Sequence, residues 1–194
     1  MTPERYGKLM NVLAKRQDNL TVVMENIEDP RNVTAVMRTC DAVGIQDIYI
    51  INSKPPRHRE WKFKSGTSAA KWLTLHHFNN VEGCVAAVRK NFNKIYTTRL
   101  TAESVSIYDV DLTDKVALVF GNEQTGVSEE ICNASDGNFL IPQMGIIQSL
   151  NISVACAVSV YEAFRQKNIA GHYAQPSLSQ ERMDQLQTNW QLKD

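Results

Sequence analysis

The sequence predicts an α/β fold in which a mostly parallel sheet is flanked by helices. Three observations carry this. Strand-like and helix-like segments alternate from about residue 20 to residue 167, the pattern of parallel strands joined by helical crossovers. The strand-like segments are short apolar runs such as DIYII (47–51) and VALVF (116–120),. A chain of 194 residues, 43% hydrophobic and 22% charged, suffices for one such domain with a sizeable core and short extensions.

Taken in order, residues 3–16 have helical spacing, with basic residues among Tyr6, Leu9, Met10 and Leu13,. They predict an amino-terminal helical extension over 1–19. The run 20–27 (LTVVMENI) reads as the first strand and opens a central domain over 20–170. After Asp29-Pro30, residues 32–43 place Val33, Val36, Met37, Cys40 and Val43 on one helical face, and Gly44 suits the helix end,. DIYII is the next strand. Residues 54–71 lack a clear period and read as a loop, followed by a short strand at 72–75, a helix at 79–92 and strands at 94–98 and 116–120,. A short helix at 127–134, a strand at 138–141 ending at Pro142, and a long helix at 149–167 rich in small residues complete the domain. The polar tail, 171–194, holds one more helical segment at 178–190.

Lys plus Arg and Asp plus Glu both number 21, so overall charge selects no partner. The local distribution is uneven. Residues 54–71 carry six Lys or Arg against the single Glu60, interleaved with Trp61 and Phe63, a composition suited to phosphates and an unpaired base,. The four cysteines (Cys40, Cys84, Cys132, Cys156) show no CxxC pair and no metal-ligand spacing, as expected of reduced thiols in a cytoplasmic protein,. No signal-peptide stretch opens the chain, and no apolar run approaches the roughly 20 residues a bilayer requires,. The expectation is therefore a cytoplasmic chain with neither a membrane partner nor a metal.

In such sheets ligands sit at the carboxyl ends of strands, which directs attention to two loops. After VALVF comes GNEQTGVS (121–128). It approaches a phosphate-binding GxxxxGK[ST] loop, but Val127 stands where the lysine belongs, which excludes the nucleotide-triphosphatase reading,. No GxGxxG follows the first strands, which weighs against a dinucleotide fold,. After NFLI comes PQMGIIQSLN (142–151), a tight loop whose backbone amides can bind a ligand,. Ser149 and Asn151 at the following helix start are also ordinary caps, as is Asn32. Thr34, Arg38 and Asp41 share the polar face of the helix after Asp29-Pro30,.

Three segments together resemble the SpoU/TrmH family of the SPOUT methyltransferase superfamily: DPRNVTAVMRTCDAVG (29–44), LVFGNEQTGVS (118–128) and IPQMGIIQSLNISVACAVSVYE (141–162). They fall in the family's order and at its spacing. The amino-terminal stretch is further similar to the branch that methylates guanosine in tRNA, and the likeness extends over roughly residues 1–175.

The resemblance implies a SPOUT-type fold with a carboxyl-terminal trefoil knot, and a homodimer whose active sites draw on both subunits. It implies S-adenosyl-L-methionine bound in the knot near Thr98, Gly121, Asn122, Ile141, Met144, Ser149 and Leu150. It places the catalytic arginine at Arg38, with Asn32, Glu123, Ser149 and Asn151 shaping the site. The implied reaction is 2′-O-methylation of a guanosine ribose in tRNA, at position 18 of the D-loop. The sulfonium methyl is already activated, so the enzyme must chiefly align the 2′-hydroxyl and handle its proton. An ordinary arginine stays protonated at neutral pH. Arg38 therefore either works with the RNA phosphate as base or clamps developing negative charge.

RNA binding is expected from Arg5, Lys8, Lys15 and Arg16 at the amino terminus and from Arg57, Arg59, Lys62 and Lys64 in the basic segment. Beyond Lys167 the tail adds only Arg182 and Lys193 as strong bases, which shifts the RNA-binding burden onto those two regions. Two rivals stand beside this reading. One is a ribosomal RNA 2′-O-methyltransferase of the same family. The other is a non-catalytic RNA-binding protein on the SPOUT scaffold, which the intact set Asn32, Arg38, Glu123, Ser149 and Asn151 opposes. A generic flavodoxin-like binding module is the fallback without the resemblance.

Overall fold

A computed structural model describes residues 1–53, 69–101 and 103–192. Its strands are β1 (Leu20–Glu25), β2 (Asp47–Ile51), β3 (Thr74–Phe78), β4 (Lys94–Thr97), β5 (Val105–Ser106), β6 (Val116–Phe120) and β7 (Gly137–Leu140). The helices are α1 (Pro3–Ala14), α2 (Pro30–Ala42), α3 (Val81–Val88), α4 (Glu129–Asn133), α5 (Ile152–Ile169) and α6 (Gln180–Asn189). The strands form one sheet in the order β3-β2-β1-β6-β4-β7-β5, and every pairing between these strands is parallel.

Why the central strands read as unbroken apolar runs is plain from the layers. β1 and β6 are buried along their whole length, because helices cover both faces. Side chains alternate between those faces. Leu20, Val22, Met24, Val116, Leu118 and Phe120 meet Val33, Val36, Met37 and Cys40 of α2 and Ile152, Cys156 and Val160 of α5. Val23, Ala117 and Val119 face the other way, onto Val81, Cys84 and Val88 of α3 and Ile131 of α4. A one-residue slip in register would invert both cores.

A third, smaller cluster joins the two ends of the chain. Leu13 of α1 packs with Leu178, Leu186, Trp190 and Leu192, and Trp72 meets Trp190 edge to face at 5.2 Å between ring centroids. That contact explains a departure from the strand expected at 72–75. Residues Ala69–Trp72 form a 3-10 turn instead, and β3 begins at Thr74. The two-residue β5 was absent from the sequence-based layout, being too short to show a period. Likewise α5 starts at Ile152 rather than at 149, because Asn151 caps it by accepting from the Ser153 N–H at 2.8 Å,.

No helix of the described residues is long and apolar enough to cross a membrane. Of the basic segment 54–71 expected to touch RNA, residues 54–68, with Arg57, Arg59, Lys62 and Lys64, lie outside the described residues.

Candidate active site

Strands β6, β4 and β7 are consecutive neighbours in the sheet, so the loops leaving their carboxyl ends meet. Together they line a cleft of about 520 Å³, within the usual size of a small-molecule site. Thr98, Arg99 and Leu100 come from the β4 exit, residues 121–127 from the β6 exit, and Ile141, Gln143 and residues 148–151 from the β7 exit. Phe120, Phe139, Leu140 and Ile152 give it an apolar wall.

The loop after β6 is held rigidly by its own chemistry. Asn122 exchanges backbone hydrogen bonds with Gly126 at 3.0 and 2.9 Å. Its side-chain oxygen accepts from the N–H groups of Gln124 and Thr125, while its amide donates to the Asn26 carbonyl at 2.8 Å. Gly121 has no alternative here. A β-carbon at that position would lie 2.2 Å from the Gly126 backbone, a separation no side chain tolerates. Gly126 itself turns the loop at φ +67°,. Across the sheet, Thr98 donates from its backbone N–H to the Val119 carbonyl at 3.2 Å, which ties the β4 exit to β6.

At the mouth of the cleft three side chains form a hydrogen-bonded chain. Asn151 donates from Nδ2 to Asn32 Oδ1 at 3.1 Å, and Asn32 donates from its own Nδ2 to Glu123 Oε1 at 2.8 Å. The Glu123 carboxylate also accepts from the backbone N–H groups of Glu28 and Asp29, at 3.0 and 3.3 Å. Burial pushes the Glu123 carboxyl up. The hydrogen bonds from Asn32, Glu28 and Asp29 outweigh that and hold it below the ordinary glutamate value,. Glu123 is therefore an anchored carboxylate at neutral pH, suited to orienting an amide rather than donating a proton.

The structure brings Thr98, Gly121, Asn122, Glu123, Ile141, Ser149, Leu150 and Asn151 to the one cleft, and Asn32 to its mouth. Two expected residues stand apart. Met144 is 97% exposed and does not line the cleft; it sits at the outer bend of the β7 exit loop. Arg38 is exposed on α2, six residues past Asn32, so about 9 Å farther along the helix axis. It too contributes nothing to the cleft lining within one chain.

Of the amino-terminal bases, Arg5, Lys8 and Lys15 are exposed, although Lys15 also donates to the Tyr173 carbonyl at 2.6 Å. Arg16 departs from expectation. Its side chain is fully buried, hydrogen-bonded to the Ile45 carbonyl at 3.1 Å, ion-paired with Asp41 at 2.5 Å and stacked over Trp190. Arg16 offers no surface to RNA and instead pins the terminal cluster to α2. In the other direction, Gln143, Gln148 and Arg99 line the cleft without having been singled out from sequence. The loop position of Gln143, one residue past Pro142, was the available signal.

A profile of the SpoU rRNA Methylase family matches residues 19–161. The chain is 37% identical over 194 residues to the tRNA (guanosine(18)-2′-O)-methyltransferase of Thermus thermophilus, covering 99% of this chain and 98% of the relative. Among solved structures, the Aquifex aeolicus TrmH/SpoU tRNA modifying enzyme superposes with a TM-score of 0.85 at 36% identity, over 96% of this chain and 94% of that one. An AdoMet-bound rRNA methyltransferase from Sinorhizobium meliloti shares the fold at a TM-score of 0.68 and 24% identity, over 80% of this chain and 59% of that one.

Proposed function

The chain belongs to the SpoU methylase family, and on that premise we propose that it methylates the ribose 2′-oxygen of a tRNA guanosine, at position 18 of the D-loop, using S-adenosylmethionine. One observation carries the catalytic half of this reading. The Asn151–Asn32–Glu123 chain stands at the mouth of a ligand-sized cleft built by three adjacent strand exits. The choice of tRNA rests on near full-length similarity to tRNA (guanosine(18)-2′-O)-methyltransferases.

The cleft suits the cofactor. Its apolar wall of Phe120, Phe139, Leu140 and Ile141 fits a purine, and Asn122, Ser149 and Asn151 offer polar groups. A further polar residue, Gln143, lines the same cleft, and its carboxamide oxygen has no hydrogen-bond partner. When bound, S-adenosylmethionine supplies a methyl group already activated on sulfonium. The chain's own residues do the rest. Glu123 fixes the Asn32 amide at the mouth, where it can orient the incoming ribose. Arg38 binds the adjoining phosphate and offsets negative charge growing on the 2′-oxygen.

Because Arg38 lies outside the cleft of its own chain, the reading includes a homodimer in which Arg38 of one protomer serves the cleft of its partner. A surface for that dimer is present. Val154 and Tyr161 on α5 are exposed with Val158 half-buried between them, and Met144, Ile146 and Ile147 project from the adjoining loop. Such apolar patches mark interaction sites. The reading further takes residues 20–170 as the methyltransferase unit, with its carboxyl-terminal part threaded as a trefoil knot, flanked by extensions 1–19 and 171–194. It places the protein in the cytoplasm, where its substrate resides.

Methyl transfer from labelled S-adenosylmethionine to unmodified tRNA and to ribosomal RNA fragments tests the reading. Label in tRNA alone is the expected result. Label in ribosomal RNA alone would overturn the substrate assignment, and cofactor binding without transfer to any RNA would overturn the catalytic one.

A further inference from the structure

A second, smaller pocket of about 360 Å³ adjoins the cleft, and Glu123 and Gln124 line both. Asp29, Arg31 and Asn32 supply the rest of its polar lining. Arg31 is 91% exposed, and a long side chain so open ordinarily keeps its rotamer freedom. Here Asp29 grips it. The Asp29 carboxylate accepts from Arg31 Nε at 3.0 Å and from Nη2 at 2.7 Å, and it caps α2 by accepting from the Arg31 backbone N–H at 2.8 Å. Capping needs only the backbone contact; the side-on grip does something further, holding one edge of the guanidinium still. The end of the fork keeps one N–H on Nη1 and one on Nη2, and among the described residues no hydrogen bond engages Nη1.

Resting on the methyltransferase reading, we propose that Arg31 identifies the target base as guanine, its two end-on N–H groups donating to O6 and N7. Guanine alone among the RNA bases offers two adjacent acceptors on that edge. Adenine sets an amino donor beside N7, and the pyrimidines have no N7. The edge is open to a side chain when a base is splayed out of an RNA loop. A phosphate is the other partner that an arginine fork fits, but charge opposes it here. Asp29 already matches the guanidinium's charge, and the anchored Glu123 carboxylate lines the same pocket. A neutral base gains both hydrogen bonds without that repulsion. Its place in the fold suits the task, because a base seated beside Arg31 has its own ribose next to Asn32, at the mouth of the cleft. Arg31 is thus a specificity-determining residue for the nucleobase, separate from the groups that align the 2′-hydroxyl.

Methyl transfer to three tRNA transcripts tests this, with guanosine, 7-deazaguanosine or adenosine at position 18. The unaltered protein is expected to show kcat/KM about tenfold lower for 7-deazaguanosine, the scale of one hydrogen bond from a charged donor. Adenosine, which loses one bond and opposes two donors, should fall about 100-fold or more. Arg31→Ala should lose about tenfold or more on guanosine and treat guanosine and 7-deazaguanosine alike. Its S-adenosylhomocysteine affinity and melting temperature should stay near those of the unaltered protein, which separates lost base reading from a damaged cleft. Arg31→Lys, with charge but no fork, should not restore the discrimination. Equal losses on both guanosine transcripts in Arg31→Ala, with the ratio between them kept, would overturn the assignment and move Arg31 to a phosphate. Equal rates of the unaltered protein on guanosine and 7-deazaguanosine would overturn it while leaving the methyltransferase reading intact. Absence of transfer to every transcript would strike that reading, and this assignment with it.

Discussion

Asn32 in the first turn of α2 donates its side-chain amide to the Glu123 carboxylate in the loop after β6, at 2.8 Å. Two elements far apart in sequence are thereby locked together, with Asn151 completing the hydrogen-bonded chain from the cap of α5. Replacing Glu123 with Ala removes the anchor while leaving Asn32 at the mouth. Turnover is expected to fall about 100-fold, the cost of a misplaced positioning group. S-adenosylhomocysteine affinity should change little, as calorimetry on the same variant would show.

Arg38 is exposed on α2 and has no hydrogen bond or ion pair among the described residues. Arg38→Ala should therefore leave the melting temperature nearly unchanged, since surface substitutions usually cost under about 0.5 kcal/mol. Methyl transfer should nevertheless fall by about 1000-fold, the scale of losing a charge-stabilising donor. Arg38→Lys keeps the charge but loses the planar fork and should recover only part of the rate. Near-normal turnover in the Lys variant would remove Arg38 from both the base and the clamp roles.

Arg16 is predicted to behave in the opposite way. Its guanidinium is buried against Asp41, the Ile45 carbonyl and Trp190, and removing it strands those partners. Arg16→Ala is expected to destabilise the chain by about 3 kcal/mol in urea unfolding. The salt dependence of RNA binding by the folded fraction should stay as it was, because no phosphate contact is lost. A shallower salt slope with unchanged stability would return Arg16 to the RNA surface.

Gly121 faces a wall of backbone. With a β-carbon 2.2 Å from the Gly126 carbon, Gly121→Ala must push the two arms of the loop apart, at a cost of about 1–3 kcal/mol. Because the same loop lines the cleft, the variant should also lose cofactor affinity. Gly126→Ala meets open space but sits at φ +67°, so its penalty comes from backbone strain alone.

Lys167 offers a pH signature. Its side chain is buried, donating to the carbonyls of Thr113 and Asp114, and burial pulls the ammonium down to about 8 despite nearby Asp114 and Asp111. The unfolded chain, with an ordinary lysine, binds more protons than the folded one between about pH 8 and 10.4. Stability from this group therefore rises across that window and is lowest below it. Lys167→Met should flatten the rise when unfolding free energies of the variant and the unaltered protein are compared from pH 7.5 to 10.

How much of this was legible in the sequence follows from what each residue depends on. The apolar runs of β1, β2 and β6 announced buried parallel strands, since helices on both faces demand side chains apolar in both directions. Gly121, Asn122 and Asn151 showed themselves as turn and cap residues, and those local roles are the ones they fill; Asn32, read as a cap, instead lies inside α2, which begins two residues earlier and is capped by Asp29. Arg16 misled because charge is visible in a sequence while a buried partner such as Asp41 is not. Trp72 was assigned to a strand by its β propensity, but Trp190, 118 residues onward, draws it into the terminal cluster. Met144 and Arg38 lie outside the cleft for a similar reason: motif position does not fix which way a residue points. Gln143 carried no local signal beyond its place after Pro142, and only the structure places it in the cleft lining.

The measurement that bears most directly on the function uses two tRNA transcripts that differ in one atom. One carries guanosine at position 18 and the other 2′-deoxyguanosine, each incubated with the protein and labelled S-adenosylmethionine. Ribose methylation at that nucleotide predicts label in the first and none in the second. Equal label in both would contradict it, and would mean that the methyl group goes to another nucleotide or to a base.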